Sequence, residues 1–188
     1  WPLVLRMSHQ VALGINFLNS LSPPLLHLDL EAQQTCCWTP SLNTKSSQNF
    51  GLAKIYHSSS SASRADSAEG GTIDYMPPEA FQGDRYKPSK ASDIYSYSIL
   101  LWSILAWRRP YQCGLSSLVR LKVPQGQRPS LEELRSESRP EEEELPALIH
   151  LMKRCWDGQP SERPTSEECA TEAERVFVRH RQEIVDAV

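Results

Sequence analysis

The sequence contains no apolar run approaching the ~20 residues that a helix needs to cross a bilayer, which excludes a spanning helix as its organising element. Its first residues, Trp1-Pro2-Leu3, carry no charged n-region and no cleavage signal, so no secretory leader is read there. The chain begins on Trp1 rather than on methionine and reads as a fragment of a longer one. No C-x-x-C spacing occurs among the five cysteines, Cys36, Cys37, Cys113, Cys155 and Cys169. The adjacent Cys36 and Cys37 cannot easily face one metal, and an odd set fits reduced thiols in the cytoplasm better than a disulfide framework. A large excess of either charge is also missing. The net charge is -3 and the 20 Lys and Arg are scattered rather than striped, which argues against nucleic acid or an anionic membrane as a partner. No internal repeat is present.

What remains is a chain of 188 residues, 39% hydrophobic and 23% charged, enough for one compact domain and too short for two. Residues 3 to 20 place Val4, Met7, Val11, Ile15 and Leu18 at spacings of three and four, the pattern of a helix with one apolar side. Asn19-Ser20 and Ser22-Pro23-Pro24 end it, because the prolines lack donors and push the preceding residue out of the helical region. Leu25-Leu26-His27 then reads as a short extended segment leading into a polar loop at Asp29. A helix is expected from Ser92 to Trp107, closed by Arg108-Arg109-Pro110-Tyr111, and a short one between Leu115 and Val123. The acidic stretch from Glu132 to Glu144 reads as a solvated loop and helix entry. Leu148, Leu151, Met152 and Cys155 mark a helix over 145 to 156, and Thr165 to Val178 a last one, with a charged tail behind it. The run His57-Ser58-Ser59-Ser60-Ser61-Ala62-Ser63-Arg64 is polar, small and aperiodic, as in a mobile loop or a plain linker.

An isolated His-x-Asp is ordinarily just a polar turn. Here, however, His27-Leu28-Asp29-Leu30 and Asn49-Phe50-Gly51 are followed in order by two further motifs. These are Gly70-Gly71-Thr72-Ile73-Asp74-Tyr75-Met76-Pro77-Pro78-Glu79 and Ser92-Asp93-Ile94-Tyr95-Ser96-Tyr97. The order resembles the catalytic loop, metal-binding loop, activation-segment end and central helix of a protein kinase. The stretches Leu18 to His27, Glu69 to Glu79, Asp93 to Tyr97, Arg128 to Leu134, Leu151 to Trp156 and Glu162-Arg163-Pro164 are similar to the receptor-interacting serine/threonine-protein kinases.

That resemblance implies a mainly α fold, the C-terminal lobe of a kinase without its N-terminal β-lobe, over residues 1 to 178, with an activation segment near 49 to 79 and a tail at 179 to 188. It implies Asp29 as acceptor of the substrate hydroxyl proton, and ATP with Mg²⁺ as cofactors. Asp93 is expected to accept backbone N–H bonds from the Asp29 loop, Glu79 to pair with Arg163, and His27 to serve structurally. Ser/Thr substrates and cytoplasmic cell-death or inflammatory signalling, through protein and homotypic assemblies, follow from the same resemblance.

Several positions depart from the pattern. The metal-binding Asn reads Gln34, and the metal-binding Asp reads Asn49. The Lys beside the transferring phosphate reads Glu31, and the Arg before the catalytic Asp, the usual partner of an activation-loop phosphate, reads Leu28. No Gly-rich loop, no V-A-I-K lysine and no partner Glu occur. Turnover by this chain is therefore not expected, and a pseudokinase or interaction module, or a non-functional product, is the alternative. Codons for Gln34 to Thr39, read one base earlier in the standard genetic code, give Asn or Asp, then Leu, Val or Met, then Leu, Leu and Asp. With Asn first this is N-[LVM]-L-L-D, the usual continuation of a kinase catalytic loop. An out-of-frame patch in residues 31 to 48 and true divergence both stay open; transcript sequencing across codons 31 to 49 distinguishes them.

Overall fold

A computed structural model of the chain describes residues 2–30, 54–55, 72–83, 86–111, 116–137 and 144–179. Six helices carry most of these residues: α1 (Pro2–Ser20), α2 (Lys90–Ala106), α3 (Ser116–Lys122), α4 (Leu131–Glu137), α5 (Leu145–Cys155) and α6 (Ser166–Arg179). Two short strands, β1 (Leu25–Leu26) and β2 (Lys54–Ile55), pair antiparallel with Leu25 opposite Ile55. Tight single turns of 3-10 helix occupy Thr72–Tyr75 and Pro78–Phe81. The mainly helical fold expected from the sequence is met. Among the described residues no helix is long and apolar enough to cross a membrane.

Helix α2 is the centre. Every residue from Ser92 to Ala106 is buried, so the helix has no water-facing side. A helix in that position must satisfy its polar side chains internally. Ser98 donates to the Tyr95 carbonyl at 2.6 Å, Ser103 to the Ile99 carbonyl at 3.0 Å, and Ser96 to the Tyr75 carbonyl at 2.9 Å. Tyr97 reaches the Ser8 carbonyl of α1 at 3.2 Å. At the start, Ser89 N–H donates to Ser92 Oγ, which also receives Tyr86 OH, both at 3.0 Å. At the end, Trp107 turns the chain away with φ at 52°.

Helix α1 buries Val4, Leu5, Ser8, Ala12, Ile15 and Leu18, whereas Met7 and Val11 pack at the margin. The buried stripe is thus rotated relative to the expected one, because small Ser8 and Ala12 allow close approach where Met7 and Val11 would hold the helices apart. α6 runs antiparallel to α1: Ser166 Oγ donates to Asn16 Oδ1 at 3.2 Å, and the His9 and Phe177 rings stack with centroids 4.6 Å apart. The acidic stretch from Glu132 to Glu144 needs a correction in its first part, since Leu131–Glu137 is a helix with Leu134 buried; residues 138–143 lie outside the described residues. Leu131 and Leu134 fasten one side to the core, Trp102 Nε1 donates to the Ser130 carbonyl at 2.9 Å, and Glu132 and Glu133 suit the positive end of the helix dipole.

Candidate functional site

Helix α1 and strand β1 deliver the turn His27-Leu28-Asp29-Leu30 to the N-terminal end of α2. There Asp93, wholly buried in the first turn of α2, accepts His27 N–H on Oδ2 and Leu28 N–H on Oδ1, each at 2.9 Å. The side chain of Asn19, near the end of α1, is buried and donates through Nδ2 to the Ile15 carbonyl at 3.0 Å, and its amide also favours the Asp93 anion. Leu28 sits at φ 62°, a left-handed conformation costing a leucine about 1–2 kcal/mol, so the Asp93 bonds hold a strained turn. The turn presents Asp29, itself 8% exposed, and directs its N–H toward His27 Nδ1 at 3.4 Å. Burial lowers the His27 pKa against the pull of the Asp29 charge, which favours the neutral ring that such an acceptor nitrogen requires.

Burial also pushes the Asp93 carboxyl up to about 6 from 3.8, outweighing the backbone bonds from Leu28 and His27 and the nearby Asn19 amide, which favour the anion. At pH 7 it is mostly ionised. A raised native pKa means that the folded state holds this proton more tightly than the unfolded one. Its stabilising contribution is therefore full below the unfolded value of 3.8 and lost as pH rises through about 6. Relative to Asp93→Asn, the natural protein should gain stability as pH falls from 7 to 4, by no more than about 3 kcal/mol. Denaturant titrations of both proteins across that range check this, and a difference independent of pH would contradict it.

A second tie reaches the same turn of α2. Arg163, its side chain fully buried, binds Glu79 through Nη1 to Oε1 at 2.8 Å and Nη2 to Oε2 at 2.7 Å. Nη1 also donates to the Ala91 carbonyl at 2.9 Å, and Nε to the Asp157 carbonyl at 2.9 Å. Glu79 lies in the turn Pro78–Phe81, so one guanidinium joins that turn to α2 and to the segment before α6. The Asp29 turn and the Glu79 turn are thus both held at the start of α2, by the side chain of Asp93 and by the carbonyl of Ala91.

Three participants are not identified from the sequence. Asn19 passes there as a helix-ending residue, yet it is buried, its Nδ2 donates to the Ile15 carbonyl, and its amide favours the ionised form of Asp93. Tyr95, wholly buried, has the guanidinium carbons of Arg128 and of Arg163 each 5.1 Å from its ring centroid. Arg128 in turn donates to the Trp156 carbonyl at 2.9 Å and the Val123 carbonyl at 3.1 Å. Arg128 and Tyr95 belong to the stretches that carry the resemblance, but neither the spacing nor the pattern indicates their contacts. Gln34, Asn49 and Glu31, and the serine run from 58 to 63, lie outside the described residues.

The family model for protein tyrosine and serine/threonine kinases matches residues 1–173. Receptor-interacting serine/threonine-protein kinase 3 of Rattus norvegicus is 38% identical over 190 residues, covering 100% of this chain and 39% of that protein. Receptor-interacting serine/threonine-protein kinase 2 of Bos taurus is 39% identical over 182 residues, 94% of this chain and 33% of that protein. Ankyrin repeat and protein kinase domain-containing protein 1 of Mus musculus is 37% identical over 188 residues, 99% of this chain and 24% of that protein. The chain spans well under half the length of these relatives.

Proposed function

The chain belongs to the protein tyrosine and serine/threonine kinase family, and we propose that it is the helical C-terminal lobe of a receptor-interacting serine/threonine kinase which, as this chain, does not transfer phosphate. In this reading residues 1 to 178 form the lobe, 49 to 79 the activation segment and 179 to 188 a tail. Asp29 is the group that accepts the hydroxyl proton of a Ser or Thr substrate. The observation that carries the reading is the pair of 2.9 Å bonds from Asp93 to the backbone beside Asp29. They fix a carboxylate in a defined pose, and a proton acceptor depends on position before it depends on pKa. His27, Glu79 and Arg163 serve that pose from a distance, as supports of the turn and of the segment that ends beside it.

ATP and Mg²⁺ are the cofactors the family implies. The donors at the metal positions do not fit them well. Mg²⁺ is a hard cation that prefers carboxylate oxygens, and Asn49 offers a neutral amide where the family has a carboxylate. Gln34 offers a longer amide where the family has Asn, and Glu31 a negative charge where it has the Lys that serves the transferring phosphate. No phosphoryl-transfer step is therefore assigned to this polypeptide. The same substitutions favour a second reading, an interaction module that presents kinase-like surfaces to protein partners in a cytoplasmic signalling complex.

Thermal unfolding with ATP, with and without Mg²⁺, tests the proposal alongside phosphate incorporation into a Ser/Thr protein substrate. The expected result is no Mg²⁺-linked rise in the unfolding midpoint and no incorporation, since a ligand that binds only the folded state must raise it. Incorporation that disappears in Asp29→Asn would overturn the inactivity while keeping the role of Asp29. Incorporation that survives Asp29→Asn would overturn that role.

A further inference from the structure

Cys155 closes α5 and Cys169 lies in the first turn of α6, with their sulfurs 3.5 Å apart in the core. Their exposures are 0% and 2%, and both are free thiols. Neither has a part in the site described above, but the loop between them does. Its Trp156 and Asp157 carbonyls accept the bonds from Arg128 and Arg163, and Arg163 itself lies within it. A covalent link from 155 to 169 would therefore close a ring around the anchorage of Glu79.

We propose that Cys155 and Cys169 form an oxidation site, closing to a disulfide by exchange with a small disulfide such as oxidised glutathione and fastening the loop that holds Arg163. The sulfurs need to approach by about 1.5 Å to reach bonding distance. While the core is closed, the bond to Cys169 and burial raise the Cys155 thiol well above its ordinary value, which keeps it protonated and unreactive. Reaction consequently requires the α5–α6 contact to open. One cysteine then loses its proton to solvent, and its thiolate attacks a glutathione sulfur. A mixed disulfide forms and one glutathione thiolate leaves. The other cysteine, deprotonated in turn, attacks the protein-side sulfur of that mixed disulfide and expels the second glutathione thiolate. Two protein thiols are oxidised and one glutathione disulfide is reduced.

The test uses a chain with Cys36, Cys37 and Cys113 replaced by serine, which leaves this pair as its only cysteines. It is incubated with oxidised glutathione in denaturant below the unfolding transition, quenched in acid and examined by intact mass and peptide mapping. The natural chain, mapped in the same way, gives the same readout should the replaced chain fold poorly. The expected result is loss of two hydrogens with Cys155 and Cys169 in one cross-linked peptide, reversed by reductant. The unfolding midpoint should rise by roughly 5 °C or more, since the link constrains the unfolded chain. Glutathione adducts without a cross-link, or two thiols that still alkylate fully on unfolding, would overturn the oxidation site. A cross-link that lowers the midpoint would overturn the fastening role.

Discussion

Replacing Arg163 with methionine should cost the fold about 3–5 kcal/mol, the usual penalty for leaving one member of a buried ion pair without its partner. The magnitude follows from what the side chain does at once. It pairs with both oxygens of Glu79, satisfies the carbonyls of Ala91 and Asp157, and covers one face of Tyr95. Glu79, whose side chain is 21% exposed, would keep its charge with little water to replace the guanidinium. Lysine should rescue little, since a single ammonium cannot reproduce the planar fork that meets both carboxylate oxygens and two carbonyls. Replacing Glu79 with leucine in the same chain removes the stranded charge, so the double variant should be more stable than the sum of the single losses predicts. Denaturant unfolding at neutral pH of Arg163→Met, Arg163→Lys, Glu79→Leu and the double variant measures these effects, and a loss below about 1 kcal/mol for Arg163→Met would contradict this role. By contrast, the Arg175–Glu172 pair, with side chains 59% and 38% exposed, should matter little.

Asp93→Ala is the second large effect, expected near 3 kcal/mol. It deprives the His27 and Leu28 N–H groups of their acceptor, at about 1–3 kcal/mol for each buried donor left unpaired. It also leaves Leu28 in its left-handed conformation without the carboxyl that ties the turn to α2. Glycine adopts that conformation without penalty. Adding Leu28→Gly to Asp93→Ala should therefore recover about 1 kcal/mol, a gain that mere loss of core packing at position 93 would not predict. Asp93→Asn should not restore the turn, because its amide nitrogen would set a donor against one of the two N–H groups. Stability measured for the three variants at pH 7 checks the series. Equal stability of Asp93→Asn and the natural chain would contradict it.

Which of these features could be read from the sequence depended on how far their signals reach along the chain. Helices α1, α5 and α6 show local apolar periodicity, and their limits fall within a residue or two of those expected. Helix α2 is different. Its Ser92, Ser96 and Ser103 mimic a polar face that would point to solvent, yet all three are buried and bound internally. Only the Asp93-Ile94-Tyr95-Ser96-Tyr97 motif marked it as central. The short helix α4 was hidden by the acidic residues around Leu134, whose burial outweighs the charge pattern. The two ties at the start of α2 join residues 66 and 84 positions apart, beyond the reach of any local pattern, and were legible only as a family resemblance. Asn19, Tyr95 and Arg128 illustrate the remainder: a buried amide and a cation–π contact arise from packing, which composition and spacing do not encode.

Amide hydrogen exchange at His27 and Leu28, in the natural chain and in Asp93→Ala, tests most directly the claim that α2 holds the turn carrying Asp29. The two amides should exchange as slowly as the interior of α2 in the natural chain. In Asp93→Ala they should exchange orders of magnitude faster while the Ile99 to Ile104 amides keep their protection. Rapid exchange in the natural chain, or protection of both amides after the substitution, would contradict it.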